Sequence, residues 1–349
     1  MSEFLTTVSS AVAWIKGLAG RHELFFPLKH GSANYSFQPA GPSADIQFEK
    51  YRPTIVPPVK KMLPARDTLF TFVKSPSGEP TVTPTLDTAP RILAGVRPCD
   101  LKGIHLMDTI FENGVADAYY AARRANTAVI AYACPKPCDD RAFCHAVDSL
   151  DHRAGADVIL TPLKGDDMLV EALTDKGREM LAGVDFPKCA DAAARKVGAV
   201  AARPEPFGRA LGAKVSALPA VIKKQWKSDL WDKHTERCFS CGSCNLVCPT
   251  CYCFDVQDDL NLDTTSGHRT RTWDACMLPE FAAVAGGHNF RPNAAARQRH
   301  RVKRKFEYLT ERFHEGAFCT GCGRCGRQCT AGIDILDIVK DLASAEVES

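Results

Sequence analysis

Two cysteine-rich segments near the C-terminus carry the residues best suited to redox or metal chemistry. The first contains Cys238, Cys241, Cys244 and Cys248, and the second contains Cys319, Cys322, Cys325 and Cys329. Both follow C-x2-C-x2-C-x3-C, the spacing with which bacterial ferredoxins bind [4Fe–4S] clusters. A cubane needs four thiolates at tetrahedral corners, and a tight loop can supply three of them. The two runs therefore predict two [4Fe–4S] clusters and an electron-transfer function.

The fourth cysteine of each run is expected to begin a helix and to bind the cluster of the other run, as in two-cluster ferredoxins. This assigns cluster 1 to Cys238, Cys241, Cys244 and Cys329, and cluster 2 to Cys248, Cys319, Cys322 and Cys325. Glycines such as Gly242, Gly321 and Gly323 should let the loops curl tightly around the sulfurs. Zinc is the alternative metal, but zinc sites do not require a third and fourth cysteine in phase.

Four further cysteines are expected to meet at the edge of a parallel sheet. Cys99 follows the predicted strand at residues 91–96, and Cys134 follows the predicted strand at residues 127–133, with Cys138 and Cys144 close behind. The carboxyl ends of adjacent parallel strands are where open α/β sheets place ligands. These cysteines predict a possible third [4Fe–4S] cluster. The alternative is a mixture of core and loop thiols.

The remaining cysteines and a basic stretch leave two interpretations open. Cys251, Cys253 and Cys276 are either small buried residues near the clusters or ligands of a further metal centre that is one cysteine short. Cys189 stands alone and is predicted to be structural.

The basic stretch at residues 288–305 is predicted to form a solvated helix face. Alternatively, it counters the negative charge of the clusters or docks an acidic partner.

The predicted fold class is α+β, with a mixed α/β domain followed by a mostly helical domain that holds a bicluster ferredoxin-like module. Residues 1–90 should contain an amphipathic helix over residues 1–20 and strands such as 45–48 and 68–73. Residues 91–225 should alternate strands and helices, with helices at 101–111 and 166–181. Residues 226–349 form the ferredoxin domain, interrupted by an insertion at residues 249–318.

Composition and charge exclude several classes of function. The net charge of +3 among 349 residues provides no bulk electrostatic attraction to nucleic acid or membrane surfaces. No apolar run approaches the length of a spanning helix, and the N-terminus lacks the features of a signal peptide, so a cytoplasmic location without membrane insertion is predicted. In reducing cytosol, 16 cysteines favour metal or redox chemistry over disulfides.

The sequence indicates a conduit for electrons rather than a catalyst. It contains no G-x-G-x-x-G dinucleotide fingerprint and no acid–base or nucleophile set with credible spacing. Whether the chain is itself an enzyme therefore stays uncertain. The alternative is a self-contained iron–sulfur reductase with a substrate site at the edge of the α/β domain.

Several motifs between about residue 91 and residue 335 carry a family resemblance. In order, they read GVRPCDLKGIHLMD, YYAARRANTAVIAYAC, CFSCGSCNLVCPTCYCFDV, RTWDACMLPEF and GGHNFRP, followed by the second cysteine run. This series resembles the beta (iron–sulfur) subunits of sulfhydrogenases, which are soluble bidirectional [NiFe] hydrogenases. It is also similar to an iron–sulfur subunit of anaerobic sulfite reductase.

The resemblance implies a place in a larger complex. Such subunits connect a flavin subunit that handles NAD(P)H to a catalytic subunit of the hydrogenase or sulfur/sulfite reductase type. The resemblance also supports Cys99, Cys134, Cys138 and Cys144 as a site. Here Ala142 departs from the CFC ending usual in that segment, so His145 is an alternative ligand to Cys138. The terminal substrate, the direction of electron flow and the partner subunits are not readable from the sequence.

Overall fold

The computed structural model describes residues 2–75 and 78–345. The strands β1 to β11 span Ser2–Thr7, Glu23–His30, Asn34–Pro39, Arg66–Lys74, Pro80–Pro84, Arg91–Val96, Thr127–Tyr132, Val158–Pro162, Asp167–Ala172, Phe254–Leu260 and Ser266–Trp273. The helices α1 to α12 span Val8–Leu18, Pro98–Glu112, Ala118–Ala125, Asp175–Met180, Ala192–Ala201, Leu218–Lys224, Leu230–Thr235, Ser243–Leu246, Ala294–Lys303, Leu309–Phe313, Arg324–Arg327 and Ile335–Ser344. A π-helical turn, Arg304–Tyr308, joins α9 to α10.

A seven-stranded mixed sheet organises the N-terminal half in the order β1-β9-β8-β7-β6-β2-β3. Its four central strands, β2, β6, β7 and β8, run parallel. Side chains alternate across the sheet, so that Ile92 packs in a core beneath α1 while its neighbour Leu93 packs in a core beneath α2. Because both faces are covered, the central strands read as nearly continuous apolar runs, as is typical of parallel sheets.

Several predicted elements are confirmed. The strands β4, β6 and β7 lie where the apolar runs at 68–73, 91–96 and 127–133 indicated them. The helix predicted over residues 101–111 lies within α2. Its N-cap is Arg97, because Pro98 occupies the first helical position, where its missing N–H costs no hydrogen bond.

Other predicted elements are wrong, and tertiary pairing explains two of them. Residues 2–7 form β1 rather than the start of a helix, because they complete the sheet edge by pairing with β9. The helix predicted over residues 166–181 is replaced by β9 and the short helix α4. β9 is almost entirely buried between β1 and β8, so pairing overrides the helical periodicity. No strand forms at residues 45–48.

A second sheet joins two distant parts of the chain in the order β10-β11-β4-β5. β4 and β5 come from the predicted N-terminal segment, whereas β10 and β11 come from the insertion at residues 249–318. The buried carboxylate of Asp67 on β4 accepts hydrogen bonds from Arg123 at 2.9 Å and from Arg271 at 3.0 Å. The C-terminal part is therefore not purely helical, and the insertion packs against the N-terminal half.

The C-terminal helices pack around a third core. Helices α6, α7, α9 and α12 contribute side chains such as Trp231 and Leu336, and Phe143 and Val147 from the N-terminal half complete it. The segment that carries Cys144 is thus held inside the C-terminal core. Among the described residues, no helix combines the length and apolarity needed to span a membrane.

Candidate functional site

The first cysteine run wraps around a cavity that the second run closes. Gly242 has a φ of +73°, which a residue with a side chain rarely adopts, and it starts the single turn of α8. The cavity is lined by Cys238, Cys241 and Cys244, and by Cys329 from the second run. These four cysteines are the set predicted for cluster 1.

The second run repeats this geometry. Gly323, with a φ of +74°, starts the turn α11. Burial raises the pKa of Cys319, and the neighbouring thiols of Cys325, Cys248 and Cys322 raise it further. Cys248 from the first run therefore lies among the three cysteines of the second, and these four are the set predicted for cluster 2.

The expectation that each fourth cysteine begins a helix is wrong. The helical turns α8 and α11 contain the third cysteines, Cys244 and Cys325, and end before Cys248 and Cys329. The left-handed glycine lies two residues before the third cysteine, so the turn starts there and is complete before the fourth cysteine is reached.

The four N-terminal cysteines meet at the carboxyl edge of the large sheet. Cys99 lies in the first turn of α2, directly after β6, and Cys134 follows β7, which runs parallel to β6. Cys99, Cys134 and Cys144 are buried in one group with Cys322. A hydrogen bond from Cys138 lowers the pKa of Cys134, which shows that Cys138 belongs to the same group.

The alternative ligand His145 lies beside Phe207, which is buried in the same group as Cys99, Cys134 and Cys144. Its ring centroid lies 6.5 Å from that of Phe207. Burial lowers the pKa of His145, and its Nδ1 has no hydrogen-bond partner among the described residues. The hydrogen bond between Cys138 and Cys134 is the contact that favours Cys138 as the fourth member of the group.

The N-terminal cysteines pack directly against the second cysteine run. The backbone N–H of Phe143 donates a hydrogen bond to the carbonyl of Gly321 at 2.8 Å. A Cβ atom on Gly321 would lie 2.7 Å from Cα of Cys144, and one on Gly323 would lie 2.8 Å from the carbonyl carbon of Arg141. Only glycine fits at either position, so these residues serve close packing as well as loop curvature.

Buried cations accompany the cysteine groups. Arg97, Arg301 and Lys305 are each 4% exposed or less, and no carboxylate of the described residues lies within 4 Å of them. Arg97 donates to Sγ of Cys134 at 3.7 Å. Burial opposes the charge of Arg301, yet the thiolates of Cys244, Cys325 and Cys248 raise its pKa well above the ordinary value.

The charge of these buried cations indicates whether the cysteines fit iron–sulfur clusters. An isolated buried cation is strongly unfavourable unless an anion compensates it. The Nε atoms of Arg97 and Arg301 are also buried without a hydrogen-bond partner in the described part of the chain. Thiolate-bound clusters carry net negative charge, so the donor set and its unpaired cations fit such a group.

The basic stretch at residues 288–305 is not a solvated helix face, so that interpretation is wrong. Arg297, Arg301, Lys303 and Lys305 are all buried. Arg301 and Lys305 are four residues apart, which puts them on one side of the helix, toward the cysteines. The alternative in which this stretch counters cluster charge is the one that the geometry favours. The sequence signal that could have predicted this role is the i, i+4 spacing of Arg301 and Lys305 ahead of the second cysteine run.

One buried ion pair could not be read from residue types or spacing. Arg324, between two cysteines of the second run, is fully buried and pairs with Asp100, the residue after Cys99. Its Nη2 lies 2.7 Å from Oδ2 of Asp100, and its Nε donates to the carbonyl of Thr54 at 2.6 Å. The pair fixes the second run against the first turn of α2.

The zinc alternative gains no support from the geometry. Within residues 2–75 and 78–345, no three His, Cys, Asp or Glu side chains converge closely enough to share a single metal ion. Tetrahedral zinc with Zn–S bonds of about 2.3 Å brings its sulfurs to within about 4 Å of one another. A multi-iron cluster holds its thiolates farther apart.

Comparison with known proteins agrees with this geometry. Residues 237–333, which contain both cysteine runs, match the family model of the 4Fe-4S dicluster domain, so the chain binds [4Fe–4S] clusters. The chain is 31% identical over 324 residues to sulfhydrogenase 2 subunit beta of Pyrococcus furiosus, and the match covers 91% of this chain and 92% of that protein. No solved structure matches. Because this identity extends over nearly its whole length and includes the dicluster domain, the chain belongs to the family of sulfhydrogenase beta subunits.

Proposed function

We propose that the chain relays electrons through three [4Fe–4S] clusters between a flavin subunit that handles NAD(P)H and a catalytic subunit of the hydrogenase or sulfur/sulfite reductase type. The observation that carries this proposal is the contact between successive cysteine groups, each with a buried cation beside it. A [4Fe–4S] cluster supplies reversible one-electron chemistry. The chain itself supplies the ligands, the spacing and the compensating charge.

The proposed ligand sets follow the three cysteine groups. Cluster 1 takes Cys238, Cys241, Cys244 and Cys329; cluster 2 takes Cys248, Cys319, Cys322 and Cys325; cluster 3 takes Cys99, Cys134, Cys138 and Cys144. Each of the first two sets crosses between the runs, so these clusters would lie side by side. The burial of Cys322 with Cys99 supports a position for cluster 3 next to cluster 2.

The order of the groups defines two ends for the relay. At the cluster 1 end, Cys241 is exposed and its neighbour Phe239 is 73% exposed, so a partner can approach closely. At the cluster 3 end, Cys138 borders a surface cavity of about 210 Å³ that Arg97 and Lys136 also line. Electrons would therefore enter at one end and leave at the other, with cluster 2 between them.

Turnover measurements distinguish the relay from a self-contained reductase. The cavity beside Cys138 is the observation that favours the reductase, because it lies at the predicted substrate edge. As a relay, the anaerobically purified chain should be reduced by a dye donor but should show no turnover of hydrogen, sulfur or sulfite until its co-purifying subunits are added. Turnover by the chain alone would refute the relay and favour the reductase.

Replacing Cys99 by Ser is expected to remove one cluster. Iron and acid-labile sulfide should each fall by about four per chain, which is the content of one cubane. Cys189→Ser is the matched control, since Cys189 is also buried but its thiol donates to Asp191 at 3.3 Å, away from the cysteine groups. An unchanged iron content in Cys99→Ser would remove cluster 3 from the proposal.

A further inference from the structure

Three cysteines outside these sets also lie close together. Cys251 follows the first run, and Cys276 follows β11. The buried amide of Asn245 donates from Nδ2 to Sγ of Cys251 and to Sγ of Cys276, both at 3.3 Å. Their sulfurs are therefore no more than twice that distance apart. Hydrogen bonds from an amide to sulfur are strongest when the sulfur is a thiolate.

The β-hairpin formed by β10 and β11 brings Cys253 to the same place. Phe254 at the start of β10 is paired with Trp273 at the end of β11. One residue farther out, the backbone N–H of Asp274 donates to the carbonyl of Cys253 at 3.0 Å. The hairpin thus brings Cys253, just before β10, close to Cys276, just after β11.

Two buried lysine side chains lie at this cysteine group. Lys60 is 8% exposed, and its Nζ donates to the carbonyl of Cys251 at 2.6 Å. Lys305 donates to the carbonyl of Thr250 at 2.6 Å. Neither has a carboxylate within 4 Å in the part of the chain that the structure describes. Burial disfavours the charged form of both lysines, and negative charge on the three cysteines would compensate it.

We propose that Cys251, Cys253 and Cys276 bind an additional iron–sulfur cluster, distinct from the three of the proposed relay. This inference rests on the proposed function, because it assumes a chain that acquires clusters. Three thiolates hold three iron atoms and leave the fourth corner of a cubane without a cysteine ligand. Asn245 also lies 3.7 Å, through Oδ1, from Sγ of Cys244, so the additional cluster would neighbour cluster 1.

The test is the iron and sulfide content of the full-length, anaerobically purified chain. We expect about fifteen or sixteen iron atoms per chain, compared with about twelve for three cubanes. Cys276→Ser and Cys253→Ser should each lose three or four iron atoms, whereas the buried control Cys189→Ser should lose none. In the oxidised protein, a three-iron form would add a paramagnetic signal that intact four-iron cubanes lack.

The outcomes separate this inference from the proposed function. About twelve iron atoms in the unaltered chain, with no loss in Cys276→Ser or Cys253→Ser, would overturn the additional cluster and leave the relay standing. Absence of acid-labile sulfide from the unaltered chain would overturn both. If these variants fail to fold, the count in the unaltered chain compared with that in Cys99→Ser decides the question, because a count of about twelve that falls to about eight leaves no iron for the additional cluster.

Discussion

Replacing Arg324 by Met is expected to destabilise the folded protein by about 3–5 kcal/mol. Arg324 is fully buried, and its guanidinium is paired with the carboxylate of Asp100 at 2.7 Å. Without this partner, the Asp100 carboxylate would be left charged in an apolar interior between Cys99 and Cys322. Methionine preserves most of the volume, so the expected loss reflects charge rather than a cavity.

Urea unfolding under anaerobic conditions measures this effect, with visible absorbance reporting the clusters and circular dichroism reporting the fold. Arg269→Met removes an exposed pair with Asp258 and should leave the unfolding midpoint unchanged. The double variant Asp100→Asn with Arg324→Met should lose less stability than the two single variants combined, because both remove the same interaction. Equal midpoints for Arg324→Met and Arg269→Met would contradict the prediction.

Replacing Arg301 by Met is expected to lower the reduction potentials of the clusters that it adjoins by roughly 50–100 mV, which is about 1–2 kcal/mol for a one-electron couple. Arg301 is buried, and its guanidinium interacts electrostatically with the thiolates of Cys244, a proposed ligand of cluster 1, and of Cys325 and Cys248, proposed ligands of cluster 2. A nearby positive charge stabilises the reduced, more negative form of a cluster. Its removal therefore makes reduction less favourable.

Anaerobic redox titration followed by visible absorbance and electron paramagnetic resonance measures these potentials. Arg299→Met is the matched control on the same helix, because Arg299 is directed to Trp226, with Nη1 donating to its carbonyl at 3.2 Å. We expect no shift for Arg299→Met and an iron content equal to that of the unaltered chain for both variants. Unchanged potentials in Arg301→Met, or equal shifts in both variants, would show that Arg301 does not tune the clusters.

Local spacing explains what could be predicted about the site. The loop that delivers three cysteines to a cubane is continuous in sequence, so Cys238, Cys241 and Cys244 are recognisable without any knowledge of the fold. The position of Cys99 and Cys134 was predictable for a different reason. Both follow apolar runs that form adjacent parallel strands, and the ends of such strands meet at one edge.

Long-range pairing explains what could not be predicted. Residues 2–7 have helical periodicity, but the edge of β9 is available to them only in the folded sheet. No strand was predicted in the insertion at residues 249–318, where β10 and β11 form a sheet that is completed by β4 from the N-terminal half. In both places, hydrogen bonds to a distant segment outweigh local propensity.

The chain's own sequence determined the kind of chemistry, since the type and spacing of eight cysteines in two short loops are enough to specify ligands for [4Fe–4S] clusters. Only the tertiary structure decided the electrostatic surroundings of those ligands. Arg324 and Asp100 are 224 residues apart in the chain, yet they form one buried pair between two cysteine groups. The distant segment that covers a charge decides whether it lies in water or beside a thiolate, and no residue spacing indicates that segment for Arg324 and Asp100.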